Sequence, residues 1–151
     1  MAKRTSQLED HLGYWLRFVS NHVSHAFRQR VEREGVTVAE WVVLRELFSA
    51  PEAAPSQVAE RLGMTRGAIS KLAERLRQKG LLSRTTEERD RRQQRLSLTA
   101  EGRRKVPILA RLADENDREF FGHLPGGARR KVVDLLQEIV RRHGWKDAPI
   151  D

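Results

Sequence analysis

The chain contains no cysteine, which excludes disulfides, thiolate nucleophiles and thiol-based peroxide sensing together. Any response to a chemical signal must use other groups. Long apolar runs are missing as well. No stretch approaches the roughly 18 consecutive apolar residues of a membrane span, and Met1-Ala2-Lys3-Arg4-Thr5 leads into no apolar signal core, so the chain is expected in the cytoplasm. There is no internal repeat and no low-complexity tract. Ser, His and carboxylates occur singly, without the convergent nucleophile, base or metal constellation that an enzyme needs. The chain is therefore not expected to be an enzyme, and no cofactor is expected.

What the sequence does have is charge. Charged residues make up 33% of the chain against 38% hydrophobic, a balance that fits a helical protein with much surface. The 151 residues are enough for one domain, or for a small binding domain sharing its core with a helical frame. The formal net charge is +8, and its position says more than its size. Between Pro55 and Lys105 stand 14 Lys/Arg against 6 Asp/Glu, whereas the rest of the chain carries 15 of each. A basic block flanked by balanced sequence is the footprint of a polyanion-binding module in a neutral scaffold. Solvated helix faces would also account for Lys and Arg, so composition alone leaves both readings open.

Leu8, Leu12, Leu16, Val19, Val23, Phe27 and Val31 recur at steps of three and four, which predicts a helix of about seven turns closing near Gly35. A second helix carries Val38, Trp41, Val42, Leu44, Leu47 and Phe48, and the linker from Ala50 to Pro55 stops it. Two short helical runs follow. The first spans Pro55 to Leu62 and is broken by Gly63; Thr65 then caps a second, whose apolar face is Ile69, Leu72, Ala73 and Leu76 and which Gly80 ends. This is helix-turn-helix spacing. The opposite face of the second run shows Arg66, Gly67, Ser70, Lys71, Glu74, Arg75 and Gln78, with small residues near its start that would let a helix approach DNA closely.

Leu81 to Thr86 reads as a strand, with Gln94 to Leu98 as its returning partner and a basic tip at Arg89-Asp90-Arg91-Arg92. A two-stranded ribbon directly after a helix-turn-helix is a wing. Thr99 then caps a helix running to about Phe121, with Pro107 able to kink it. A last helix carries Val132, Leu135, Leu136, Ile139 and Val140 and ends at Gly144.

This order of elements resembles the MarR family of bacterial regulators across nearly the whole chain. The family's wing pattern of Asp-x-Arg, a short strand, Leu-Thr and a following Gly stands here as Asp90-Arg91-Arg92, Leu98-Thr99 and Gly102. Val58-Ala59 with Leu62-Gly63, and Leu76 with Lys79-Gly80-Leu81, also fall where the family places them. One departure is Ala54, where a Ser or Thr cap is usual, a loss of about 1 kcal/mol for that short helix. The resemblance implies a mainly α fold with a small β-wing, a winged helix-turn-helix with N- and C-terminal dimerisation helices. Residues 1–151 would form a single chain of this type, with 36–104 as the DNA-binding part and 6–35 and 105–144 as the helical dimerisation part. The alternative, that the terminal seams pack within one monomer, goes against the preference of DNA readers for two-fold sites.

The function so implied is that of a sequence-specific transcription regulator, a ligand-responsive repressor acting as a homodimer on a palindromic operator in double-stranded DNA. Its DNA-binding residues are Thr65, Arg66, Ser70, Lys71, Arg75, Arg84, Arg89, Asp90, Arg91 and Arg92. Arg66 leads the recognition helix and suits paired donation to guanine, Ser70 suits bases or phosphates, and Lys71 and Arg75 suit phosphates as well. Glu74 could accept from cytosine, but pairing with Arg77 or Gln78 is the simpler role. By resemblance, Arg92 is the side chain inserted into the narrow minor groove and Asp90 its brace, with Arg84, Arg89, Arg91 and Arg95 near phosphates. Family members often answer to small aromatic or phenolic effectors, and Tyr14, Trp15, Phe18, His22 and Trp41 with Arg17 could line such a site, although aromatics at helical spacing more often fill a core. His22 and His25 share a spacing that can hold a metal but lack a third ligand, so no metal is expected. Two other classes compete: a winged-helix module binding an acidic protein, and a nucleoid-type protein coating DNA without sequence preference.

Overall fold

The computed structural model describes residues 3–87 and 90–146, with residues 87 and 90–92 described by their backbone. After a 3-10 turn at Leu8–Asp10, the described residues form α1 (Leu12–Arg33), α2 (Val38–Ser49), α3 (Pro55–Leu62), α4 (Arg66–Gln78), β1 (Leu82–Glu87), β2 (Asp90–Leu98), α5 (Ala100–Phe121) and α6 (Ala128–His143).

α1 starts one turn later than its apolar spacing predicts. Asp10 Oδ2 accepts from the Gln7 N–H at 2.7 Å, which closes a separate turn, and His11 is extended at φ −100°, ψ 125°. At the other end Gly35 takes φ +78°, a left-handed conformation that turns the chain into α2. Thr37 and Glu40 form a reciprocal capping box there: the Glu40 N–H donates to Thr37 Oγ1 at 3.1 Å and the Thr37 N–H to Glu40 Oε1 at 3.0 Å. At α3, Ala54 offers no side-chain oxygen, yet Gln57 Oε1 accepts from the Ala54 N–H at 3.0 Å and Pro55 occupies the first turn. Half of a capping box thus survives the loss of the hydroxyl. α5 runs unbroken through Pro107.

The ribbon is longer than its alternation suggests, because β2 begins at Asp90 and not at Gln94. Its antiparallel register runs from Leu82 opposite Leu98 to Thr86 opposite Gln94, then shifts so that Glu87 faces Asp90. A third segment joins it. Ala53, in the linker between α2 and α3, donates to the Leu96 carbonyl at 3.1 Å and accepts from the Leu96 N–H at 2.8 Å.

The core lies in the head, the part of the chain built by α2, α3, α4, the wing and the first half of α5. Leu44 and Leu47 of α2, Val58 of α3, Ile69 and Leu76 of α4, Leu82 and Leu96 of the wing and Leu109 of α5 are all fully enclosed. α1 contributes Val31 to this core, and α6 buries none of its residues.

Candidate nucleic-acid interface

Helix α4 packs one face into the head through Ile69, Leu72, Ala73 and Leu76. This leaves the other face outward, where Arg66, Gly67, Ser70, Lys71 and Arg75 are exposed. Thr65 starts the helix, its Oγ1 accepting from the Ala68 N–H at 3.1 Å, which leaves the O–H as a donor. A Cβ on Gly67 would meet nothing within 4 Å. The fold itself therefore does not require glycine at that position.

Glu74, the one acid on this face, is held by cations. Arg77 grips it with two bonds, Nη2 to Oε1 at 2.7 Å and Nε to Oε2 at 2.9 Å, and Gln78 Nε2 adds a longer one at 3.4 Å. Chiefly through the Arg77 hydrogen bonds, and further through Gln78 and the charge of Arg84, the Glu74 carboxyl is held below the usual carboxylate range. Arg84 reaches across from β1. Its Nη2 donates to Ser70 Oγ at 3.3 Å, its Nη1 stands 3.7 Å from Glu74 Oε2, and its side chain is only 23% exposed. The resemblance implies a place beside phosphates for Arg84; in the fold it ties the wing's first strand to the recognition helix. A groove of about 450 Å³ lies between the start of α3, Arg66 and β2 at Gln93 to Arg95.

Arg89 lies outside the described residues. Asp90, Arg91 and Arg92 are described only as backbone of β2, so their side chains lie outside the description too.

The aromatic set separates. Tyr14, Trp15, Phe18 and His22 form a chain of ring contacts along α1, with centroids 5.2 Å apart for Tyr14 and Trp15, 6.1 Å for Tyr14 and Phe18 and 5.0 Å for Phe18 and His22. Trp15, Phe18, His22 and Arg17 are exposed, so in a single chain this set is a ridge. Trp41, expected beside them, packs instead against the head core, because α2 is the core's central helix. Among the described residues, no three His, Cys, Asp or Glu side chains gather as a metal site. A second apolar feature lies on α1: Leu12, Trp15, Leu16, Val19 and Val23, with Phe121, Val132 and Leu136, line a groove of about 450 Å³.

Three features escaped the reading of the sequence. These are the buried Glu40, its bond to Lys79, and the packing of Gly102 under the wing. Thr37-x-x-Glu40 was a legible signal for the first, as a capping box before an apolar run.

A reading helix with a basic outer face, a ribbon at its end and a third strand segment at Ala53 define the class: a winged helix-turn-helix. The comparisons carry this to a family. The model described as MarR family matches residues 34–93. The HTH-type transcriptional repressor MdtR of Bacillus subtilis is 34% identical over 100 residues, which are 66% of this chain and 64% of that protein. The chain thus spans just under two thirds of this relative. CouR from Rhodococcus jostii, solved bound to p-coumaroyl-CoA, superposes with a TM-score of 0.77 at 25% identity, over 97% of this chain and 100% of that one. A mutant MarR from Escherichia coli, solved with operator DNA, superposes with a TM-score of 0.76 at 21% identity over 85% of this chain and 93% of that one, a likeness of fold. Residues 34–93 are thus of the MarR family, and the curated relatives that the chain resembles are transcription regulators.

Proposed function

We propose that the chain is a cytoplasmic, sequence-specific repressor that acts as a homodimer on a palindromic operator, with α4 in the major groove and the wing in the minor groove. The observation that carries this reading is the pairing of two faces with opposite needs. α4 turns Arg66, Ser70, Lys71 and Arg75 to solvent, while α6 leaves Val132, Leu135, Leu136, Ile139 and Val140 38–51% exposed. A basic face can meet a polyanion, and an apolar face of that size calls for protein. A second copy suits the apolar face because α1 and α6 already share the groove that Leu136 and Leu12 line. The effector is proposed to be a small aromatic or phenolic molecule meeting the α1 ridge, a proposal supported by the p-coumaroyl-CoA bound to CouR.

The test is equilibrium binding to a duplex that the protein selects from a randomised pool, against a scrambled duplex, across salt. Specific binding that falls steeply with salt is expected, as counterions return to the phosphates. Equal affinity for both duplexes would point to coating without sequence preference. One variant sharpens the result. Gly67→Ala fills space that the fold leaves open, so it should stabilise the protein by about 0.5–1 kcal/mol while weakening specific binding, because the added methyl faces the groove. Tighter binding by this variant would move the first turn of α4 away from DNA.

The wing gives a test of opposite sign. If Asp90 braces Arg92, Arg92→Ala should weaken operator binding by about 1–3 kcal/mol, and Asp90→Ala should weaken it too. Removing a negative charge from a merely basic patch ought to strengthen binding. Asp90→Ala binding as tightly as the wild type would therefore rule out the brace.

A further inference from the structure

Away from the DNA-facing side of α4 and the apolar faces of α1 and α6, one charged group among the described residues is fully buried. Glu40 stands in the first turn of α2 with no exposure. Its Oε1 accepts from the Thr37 N–H at 3.0 Å and from Lys79 Nζ at 2.9 Å, and its Oε2 lies 2.9 Å from the same ammonium. Lys79 Nζ also donates to the Gly35 carbonyl at 2.8 Å. One nitrogen thus joins three segments: the turn that ends α1, the cap that begins α2, and the C-cap of α4.

The capping box needs only Thr37 and an acceptor at position 40, which a glutamine would also supply. A carboxylate out of water needs a cation, and here the cation comes from the end of the reading helix. The placement has leverage. The 13 residues of α4 span about 20 Å at 1.5 Å per residue, so a tilt of about 10° at Lys79 moves the reading end by about 3 Å, close to one base-pair step. On the other side of the junction, α1 carries the exposed apolar face.

We propose that Lys79, anchored on Glu40 and the Gly35 carbonyl, is a positioning residue that sets the tilt of α4 against the α1–α2 corner, and with it the half-site separation that two heads can read together. This rests on the DNA-reading homodimer proposed above. Half-site spacing is a geometric property of such dimers. Losing the strut should therefore blur spacing more than it weakens contact with one half-site.

The experiment uses the full chain and a duplex selected by the wild type from a randomised pool. This duplex is resynthesised with one base pair added to or removed from its centre, alongside a duplex holding one half-site. The wild type should lose about tenfold in affinity on a changed spacer, the size of one misfit position. Lys79→Met should lose only about twofold there and stay within about threefold of wild type on the half-site duplex. Lys79→Arg, able to donate to both acceptors, should restore the wild-type preference. Circular dichroism and sedimentation confirm fold and assembly. Should Lys79→Met not fold, Glu40→Gln, which removes the ion pair but keeps the cap and the Gly35 bond, should show the same loss of spacing preference in smaller measure. An unchanged spacing preference in the folded variant overturns the proposal, and so does an equal loss on every duplex, which would mark a purely structural role. If the wild type selects no duplex at all, the DNA-reading proposal falls first and this one with it.

Discussion

Leu136→Asp is expected to leave no detectable dimer at micromolar concentration and to abolish binding to a duplex with two half-sites. In the single chain Leu136 is 41% exposed on a helix that buries nothing, so a carboxylate there costs the lone chain little. The loss arises only where a second chain covers the groove. A two-fold interface contains the substitution twice. At about 2 kcal/mol for each carboxylate left unpaired, association weakens by about 4 kcal/mol, or about a thousandfold in the dissociation constant. Sedimentation equilibrium over a range of concentrations reads this, with circular dichroism confirming that α6 persists. A variant as dimeric as the wild type would show that the α1 and α6 faces are not where two copies meet.

Gly102→Ala should be the most damaging single-methyl change in the head. Gly102 sits in the first turn of α5, under the strand that starts the wing, and a Cβ there would lie 2.1 Å from the Leu81 carbonyl oxygen. Backbone cannot swing aside as a side chain can. The same carbonyl accepts from the Thr99 N–H at 3.1 Å, Thr99 Oγ1 donates to the Gly80 carbonyl at 2.6 Å, and the Gly102 N–H closes the cap onto Thr99 Oγ1 at 3.1 Å. Room for the methyl can come only from parting α5 from the wing. Overpacking of this kind costs about 3 kcal/mol, which lowers Tm by about 6–12 °C in a chain of this size. A thermal scan checks it, and a Tm within about 2 °C of wild type would show that the α5–wing junction yields easily. Weakened DNA binding should accompany the loss, since the Thr99 and Gly102 contacts to Gly80 and Leu81 tie α5 to the start of the wing.

The two changes also show how differently parts of this molecule could be read beforehand. The apolar steps of α6 are visible in Val132, Leu135, Leu136, Ile139 and Val140, and those positions remain uncovered in the folded chain. The helix-turn-helix was legible because Gly63, Thr65 and Gly80 are local punctuation: two left-handed glycines and a cap whose oxygen bonds three residues on. Gly102 was legible only as a motif letter. Its reason, a carbonyl 21 residues earlier in the chain, belongs to packing. Arg84 and Trp41 likewise depended on neighbours from other elements, one turning toward Ser70 and the other toward the head core.

By itself the sequence determined the order of elements, the basic outer face of α4 and the unsatisfied apolar stripes, because helical period, caps and charge act within a few residues of one another. The start of α1 departed from that rule for an equally local reason, the contact between Gln7 and Asp10. Tertiary structure alone decided which acids lie buried, which arginine ties the wing to the reading helix, and that Lys79 meets Glu40 and Gly35 across 39 and 44 residues of chain. A lysine at a helix end looks the same in sequence whether it faces water or a buried carboxylate. Only the close approach of α1, α2 and α4 removes the water, and without water the Glu40 carboxylate must find its cation on another helix.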